Sequence, residues 1–315
     1  MITVRIEAKT AVAQDICALT LVAADGGALP AFTAGAHLDV HLPSGIVRQY
    51  SLSNDPAETH RYVLGVLLDT QSRGGSRAVH ELLAPGQTLQ VSAPKNHFPL
   101  AAQARRSLLI AGGIGITPIL AMARQLAADG ADFALHYAAS SAEHMAFRAE
   151  IEASAWAGAA RFHVAGDRLD VQALLATRDA DTHVYVCGPK RLIDAVADAA
   201  KRHGWPEGRV HHEFFAGAPA ASTGQDGPFE IELARSGRVI LVGAHQTAAQ
   251  ALIAAGAPLL TSCEQGVCGT CLTRVIGGEP EHRDLYLTPE EQAANDQFTP
   301  CCSRARSSRL VLDLG

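Results

Sequence analysis

Over the first third of the chain, apolar residues recur at every second position in short runs. Val4 and Ile6 form one such run; Leu38, Val40 and Leu42 form another. Tyr62, Leu64, Val66 and Leu68 follow, then Leu89 and Val91. A period of two belongs to strands with one buried face. Pro43-Ser44-Gly45 and Pro85-Gly86 punctuate the runs. Short strands at regular spacing predict an antiparallel barrel or sandwich over residues 1–103.

Near residue 104 the pattern changes. Ser107-Leu108-Leu109-Ile110-Ala111 is a short apolar run of the buried-strand kind. A glycine-rich turn follows, then helical periodicity from Pro118 to Ala128. Phe133–Tyr137 and Thr182–Val186 read as strands; Glu143–Ser154 and Pro189–His203 read as helices, the last with Gly204 just past its end. Strands alternating with helices predict an α/β domain with a parallel sheet over 104–220. Small and polar residues at 216–228 mark a linker, placed at 221–228. Beyond it, Phe229–Leu233 alternates strictly, Ser236-Gly237 turns the chain and Val239–Val242 completes a hairpin. Thr247 caps a helix running to Ala255. Thr288-Pro289-Glu290-Glu291 has the form of a capping box. Residues 229–315 thus read as a third, α+β domain.

Composition narrows the class. The chain has 315 residues, 48% hydrophobic and 18% charged, which suits folded domains rather than disorder. The formal charge of −6 excludes nucleic-acid binding through bulk positive charge. From residue 221 onward there are 7 basic and 11 acidic residues, a balance that suits a basic partner surface or simply a solvated face. No apolar stretch reaches the roughly 18 residues needed to span a bilayer, so no membrane partner is expected. The N-terminus lacks the apolar core of a signal peptide. A cytoplasmic location is expected, where thiols stay reduced. The seven cysteines therefore need another reason, and five of them lie between 263 and 302.

Those cysteines carry the sharpest chemical signal. Cys263, Cys268, Cys271 and Cys301 fit C-x4-C-x2-C-x29-C, the plant-type [2Fe–2S] spacing. Gly266 and Gly269 permit a tight loop that aims backbone N–H groups at sulfur. A Rieske centre would need two histidines, and structural zinc more often uses paired C-x2-C. A redox C-x-x-C would sit at a helix start. Cys302 competes with Cys301 as fourth ligand; the spacing favours Cys301 and leaves Cys302 as a buried non-ligand.

Two further motifs lie upstream. Arg48-Gln49-Tyr50-Ser51, at a strand end, matches the R-x-Y-S flavin signature of ferredoxin-reductase-like proteins. Arg48 can pair with a flavin phosphate, Tyr50 offers a flat face, and the Ser51 hydroxyl can reach a reactive ring edge. Arg73-Gly74-Gly75-Ser76-Arg77 then opens a short helix whose first N–H groups suit an anion. The other motif is nucleotide-like. Gly112-Gly113-Ile114-Gly115-Ile116-Thr117-Pro118 and Cys187-Gly188-Pro189 each lie between a strand and a helix. Two such turns at the C-terminal edge of one parallel sheet make a ligand crevice.

With Glu213-Phe214-Phe215 between the second turn and the cysteines, the order of motifs resembles the phthalate dioxygenase reductase family over nearly the whole chain. The resemblance implies a flavin β-barrel, a nucleotide domain and a β-grasp ferredoxin domain, with FMN, NADH and one [2Fe–2S] cluster. Arg48, Gln49, Tyr50, Ser51, the backbone of Val66, Leu67 and Leu68, Gly74, Gly75, Ser76 and Thr117 would surround FMN, and Phe215 would lie near its ring. Gly112, Gly113, Gly115, Pro118, Cys187, Gly188 and Pro189 would line the nicotinamide site. Ser51, Cys187 and Phe215 would stand at the reacting atoms. Ala138-Ala139-Ser140-Ser141 offers no arginine for a 2′-phosphate, which favours NADH over NADPH. The implied partner is a separate Rieske-type oxygenase. A haem monooxygenase partner, or a carrier or sensor with a silent nucleotide domain, stands as the alternative. A monomer is expected, with His37, His41, His97, His136 and His163 as surface or packing residues.

Overall fold

The computed structural model describes residues 1–70, 74–177, 179, 181–206, 208–215 and 226–314. Two compact units emerge, Met1–Phe215 and Ala216–Gly315. Positions 221–225 of the expected linker lie outside the described residues.

The first unit begins with β1 (Ile2–Ala13), β2 (Ile16–Ala23), β3 (Ala36–His41), β4 (Val47–Ser51), β5 (Tyr62–Leu67), α1 (Gly75–Leu82), β6 (Thr88–Val91) and β7 (Lys95–Asn96). The strands pair antiparallel in the order β4-β3-β6-β1-β2-β5, with β7 on β3. A bridge between Leu52 and Leu64, and a Ser53 N–H to Val63 carbonyl bond of 2.9 Å, join the end of β4 to β5 and close the barrel. The alternating residues seen in the sequence point inward: Val4, Ile6, Leu38, Val40, Leu64, Val66, Leu89 and Val91 form one core. Register shifts after Ile6 and Ala11 let the long β1 coil around it. The Lys9 ammonium donates to the carbonyls of Val79, His80 and Leu83 at 3.0, 2.5 and 2.9 Å, tying β1 to the last turn of α1.

The same unit continues with β8 (Arg106–Gly112), α2 (Ile116–Ala128), β9 (Asp132–Ala138), α3 (Arg148–Glu152), β10 (Ala160–His163), α4 (Val171–Leu175), β11 (Thr182–Cys187), α5 (Lys190–Arg202) and β12 (Val210–Glu213). All five strands are parallel, in the order β10-β9-β8-β11-β12. Leu109, Ala111, Leu135, Tyr137, Tyr185 and Cys187 pack with α2 on one face; Leu108, Ile110, Val184 and Val186 pack with α5 on the other. Chain order reverses between β8 and β11, so the switch point, where ligands bind in open α/β sheets, falls between the two glycine turns.

Two details depart from expectation. The helix over 143–154 is broken: a single 3-10 turn spans Ala142–His144, Phe147 takes φ +60°, and only α3 is regular. Met145, Ala146 and Phe147 are all buried there, with Phe147 set against Gly65 of the barrel. Burial of that side chain outweighs continuation of the helix. Pro118 is the third helical residue rather than the first, because a 3-10 turn at Gly113–Gly115 precedes α2. Its missing N–H still falls within the first turn, where no intrahelical partner exists.

The second unit contains β13 (Phe229–Leu233), β14 (Arg238–Val242), α6 (Ala248–Ala254), β15 (Thr273–Gly277), β16 (Pro280–Glu281), α7 (Pro289–Ala294), β17 (Gln297–Phe298), β18 (Arg304–Ala305) and β19 (Arg309–Leu312). Its mixed sheet runs β14-β13-β19-β15-β17, with β13 and β19 parallel, and α6 covers its apolar face. Thr247 with Gln250, and Thr288 with Glu291, form complete capping boxes. The start of the unit is anchored. Arg283 donates to both carboxylate oxygens of Asp226 at 2.6 and 3.1 Å, and Arg304 donates to the carbonyls of Gly227, Gly243 and Gln246. Among the described residues no helix is long and apolar enough to cross a membrane.

Candidate functional site

The flavin motif sits where the barrel closes. Arg48 and Tyr50 project from β4 on the side that shares its face with Leu38 and Val40, while Ser51 ends the strand. The Arg48 side chain lies along the first turn of α1: a Cβ at Gly75 would fall 2.7 Å from its Cγ and 2.8 Å from its Nε. Gly74, at φ +91°, starts that helix with no side-chain cap and no acidic residue in the first turn. A guanidinium and a helix N-terminus therefore meet with no carboxylate from that turn between them, an arrangement that fits a phosphate. Ser76 is buried, and its Oγ accepts the Asp69 N–H at 3.1 Å. Val66 is buried, while Leu67 and Leu68 are half-buried on the strand that ends beside α1. Gln49 faces the other way and donates to Asp39 Oδ1 at 3.0 Å, so it braces β3 rather than pointing toward α1.

The two glycine turns interlock. A Cβ on Gly115 would lie 2.3 Å from the Cys187 carbonyl oxygen, and one on Gly188 would lie 2.9 Å from Gly112 Cα. A Cβ on Gly112 would meet Leu192 and the Pro189 ring at 2.7 Å. Gly115 and Gly188 are required by backbone-on-backbone packing, and Gly112 by the side chains of Leu192 and Pro189. Gly113 differs: it has φ +53°, and a Cβ there would meet nothing within 4 Å. Of the four, it is the one with room beside it for a side chain. Thr117 is buried, its hydroxyl donating to the Ile114 carbonyl at 3.1 Å, and its methyl group lies 2.7 Å from where a Cβ on Gly65 would be. The barrel and the parallel sheet touch there.

Sequence reasoning left Glu213 without a role. It ends β12, pairs in register with Cys187, and accepts a hydrogen bond from the Ser51 hydroxyl. Burial pushes its carboxyl up to about 8, and its Oε2 is buried without a partner. Burial and the nearby Glu213 also push the Cys187 thiol well up, so this cysteine is a neutral packing group and not a thiolate. Ser51, Glu213 and Cys187 thus converge from three strands onto one seam. A buried carboxyl at a strand end, in Glu213-Phe214-Phe215, was the available signal. Phe214 packs on the α5 core, whereas Phe215 is 37% exposed.

In the second unit the predicted thiols come together as a chain of neighbours. Cys263 hydrogen-bonds with Cys268 and Cys301, and Cys301 also with Cys271 and Cys302. The thiols donated to Cys263 pull it far down toward thiolate, while Cys268 and Cys301 are pushed up as the donors. The Gln265 N–H donates to Cys263 Sγ at 3.3 Å, and Gly266 and Gly269 have φ +71° and +68°. Among the described residues no three side chains surround a point that one metal ion would fill. A two-iron cluster takes its thiolates in two pairs, and the chained arrangement with inward N–H donors fits that need. Cys302 is buried against Thr299, whose hydroxyl lies 3.3 Å from its sulfur.

A family model for a 2Fe-2S iron-sulfur cluster binding domain matches residues 231–306. Another, for the N-terminal domain of the DmmA-like subunit of dimethylamine monooxygenase, matches 92–210. The chain is 38% identical to the solved structure of phthalate dioxygenase reductase, with a TM-score of 0.80, covering 99% of this chain and 97% of that one. The chain belongs to the phthalate dioxygenase reductase family. Within that family, it is 54% identical to vanillate O-demethylase oxidoreductase of a Pseudomonas species over the full length of both. It is 42% identical to the phthalate 4,5-dioxygenase oxygenase reductase subunit of Pseudomonas putida, over 98% of this chain and 96% of that one. An intact type IV self-sufficient cytochrome P450 monooxygenase superposes with a TM-score of 0.83 at 40% identity, covering 99% of this chain and 41% of that one. As in the family, an antiparallel flavin-type sheet, a parallel nucleotide-type sheet and a C-terminal iron–sulfur domain follow in order.

Proposed function

We propose that this protein is the NADH-dependent reductase component of a Rieske-type aromatic oxygenase, passing electrons from NADH through FMN and a [2Fe–2S] cluster to a separate oxygenase chain. The observation that carries the reading is the seam of Ser51, Glu213 and Cys187, where the flavin-motif strand meets the C-terminal edge of the parallel sheet. The division is proposed as a flavin barrel over 1–103, a nucleotide domain over 104–220 and a ferredoxin domain from 229. When bound, the flavin accepts the two electrons of a nicotinamide hydride, and the cluster carries them onward singly.

Arg48 and the N-terminus of α1 hold the flavin phosphate. Tyr50 supplies a flat apolar wall, half-buried on the barrel core. Ser51 orients the ring edge through its hydroxyl, which Glu213 fixes in direction. Glu213 is neutral below about pH 8 and so keeps a proton beside that seam. Gly113 leaves the opening through which the nicotinamide enters, and the neutral Cys187 thiol walls it against water. Phe215, partly exposed, would lie near the flavin ring. Cys263, Cys268, Cys271 and Cys301 hold the cluster. The likeness to the P450 monooxygenase supports a second reading, in which the acceptor is a haem oxygenase.

Anaerobic NADH titration of the purified protein, with absorption spectroscopy and chromatography of the released flavin, tests the proposal. Bleaching of both flavin and cluster bands, with FMN released, is expected. A cluster band that NADH leaves untouched would transfer the protein to the carrier class.

A further inference from the structure

We infer that Asp284 is a positioning residue for the iron–sulfur cluster: it latches the loop bearing Cys263, Cys268 and Cys271 to the segment bearing Cys301, and its charge holds the cluster's midpoint potential down. This rests on the two-iron reading above.

The Asp284 side chain has no exposed surface. Its Oδ2 accepts the Leu287 N–H at 2.8 Å, and its Oδ1 accepts the Ser303 hydroxyl at 3.3 Å. Both oxygens accept, the pattern of an ionised carboxylate. Ser303 lies two residues past Cys301, and its Oγ is 3.0 Å from the Thr299 hydroxyl. On the other side, the Leu285 N–H donates to the Gly266 carbonyl at 2.9 Å, inside the three-cysteine loop. A Cβ on Gly266 would lie 2.9 Å from Asp284 Cβ and 2.4 Å from Cys302 Sγ. Three segments distant in sequence therefore meet at Gly266, and Asp284 is the residue bonded to two of them through its side chain or its neighbour's backbone.

The surroundings leave this charge poorly neutralised. Arg283, its chain neighbour, directs its guanidinium to Asp226 and Glu281. His282 brings Nδ1 to 3.5 Å from Oδ1, too far for a good hydrogen bond, and both its ring nitrogens are buried without a partner. A buried anion near a cluster opposes the arrival of an electron, and reduction potentials of such clusters follow net charge and hydrogen bonding.

The test is a redox titration of the full-length protein followed by electron paramagnetic resonance, with iron counted per chain. Asp284→Asn, which keeps the shape and removes the charge, is expected to raise the potential. The expected shift is about tenfold in the reduced-to-oxidised ratio at fixed potential, or about 59 mV for one electron. Asp284→Glu, which keeps the charge, should stay nearer the parent. Ser303→Ala removes one donor and leaves the carboxylate less shielded, so its shift should be downward. It serves equally if Asp284→Asn does not retain iron. A fully loaded Asp284→Asn protein with the parent potential, or an upward or absent shift in Ser303→Ala, overturns the inference. A parent protein that binds no iron would instead sink the two-iron reading.

Discussion

The nucleotide crevice and the cluster loop are both glycine-rich, yet their glycines answer to different neighbours. In the crevice, Gly115 and Gly188 are pressed against backbone, Gly112 against the Leu192 and Pro189 side chains, and of the four only Gly113 faces open space. In the cluster loop, Gly266 and Gly269 lie under side chains, those of Cys302, Asp284 and Tyr286. The crevice is thus two backbones locked together, with the ligand taking what is left open. The cluster loop is a shape fitted to side chains from more distant segments, and its proposed ligands are sulfurs. In one site the chemistry resides in what is absent, in the other in what is present.

Removing a sulfur should produce the largest effect. Cys301→Ser is expected to lose the cluster, lowering iron per chain and cluster-dependent cytochrome c reduction by at least about 100-fold. NADH-dependent ferricyanide reduction, which needs only the flavin, should persist. The glycines come next. Gly115→Ala forces a methyl group into the Cys187 carbonyl and should cost about 3 kcal/mol, read as a lowered thermal midpoint. Gly113→Ala meets no neighbour and should cost only about 1 kcal/mol from its left-handed backbone, while raising KM for NADH. Equal losses at the two positions would erase the distinction between packing and opening.

Smaller effects concern protons at the seam. Glu213 holds its proton to about pH 8 when folded but only to about 4.5 when unfolded. The folded state then binds the extra proton between those values, so stability falls as pH rises across that window. Chemical denaturation at several pH values should show Glu213→Gln losing this slope. His37 shows the reverse dependence. Burial pulls its imidazole down to about 4, so the unfolded chain binds the proton first as pH falls below 6.5. Stability is full above 6.5 and declines toward pH 4, and His37→Asn should flatten that decline.

The contrast also explains what could be read from sequence. Cys263, Cys268, Cys271 and Cys301, the proposed cluster ligands, carry a spacing that is legible in the chain itself. Strand periodicity, the helix cap at Thr247 and the capping box at Thr288 were equally local, and the structure has them. The break at Phe147 was hidden because its cause is Gly65, some eighty positions earlier in the chain. Glu213 was hidden because its perturbed carboxyl depends on three strands meeting. Asp284 was hidden because the bond from Ser303, 19 residues on, closes only in the folded unit.

The anchoring of Asp226 by Arg283 bears on how the second unit could be cut out and transplanted. A gene fragment trimmed to the matched family bounds, 231–306, keeps Cys263, Cys268, Cys271, Cys301 and Cys302. It discards Asp226, and it also discards β19, the strand that sits between β13 and β15. Such a module would carry its ligands on a sheet missing a central plank. A fragment that opens upstream of Asp226 and runs past Leu312 retains both, and is the portable form of this electron-carrying part.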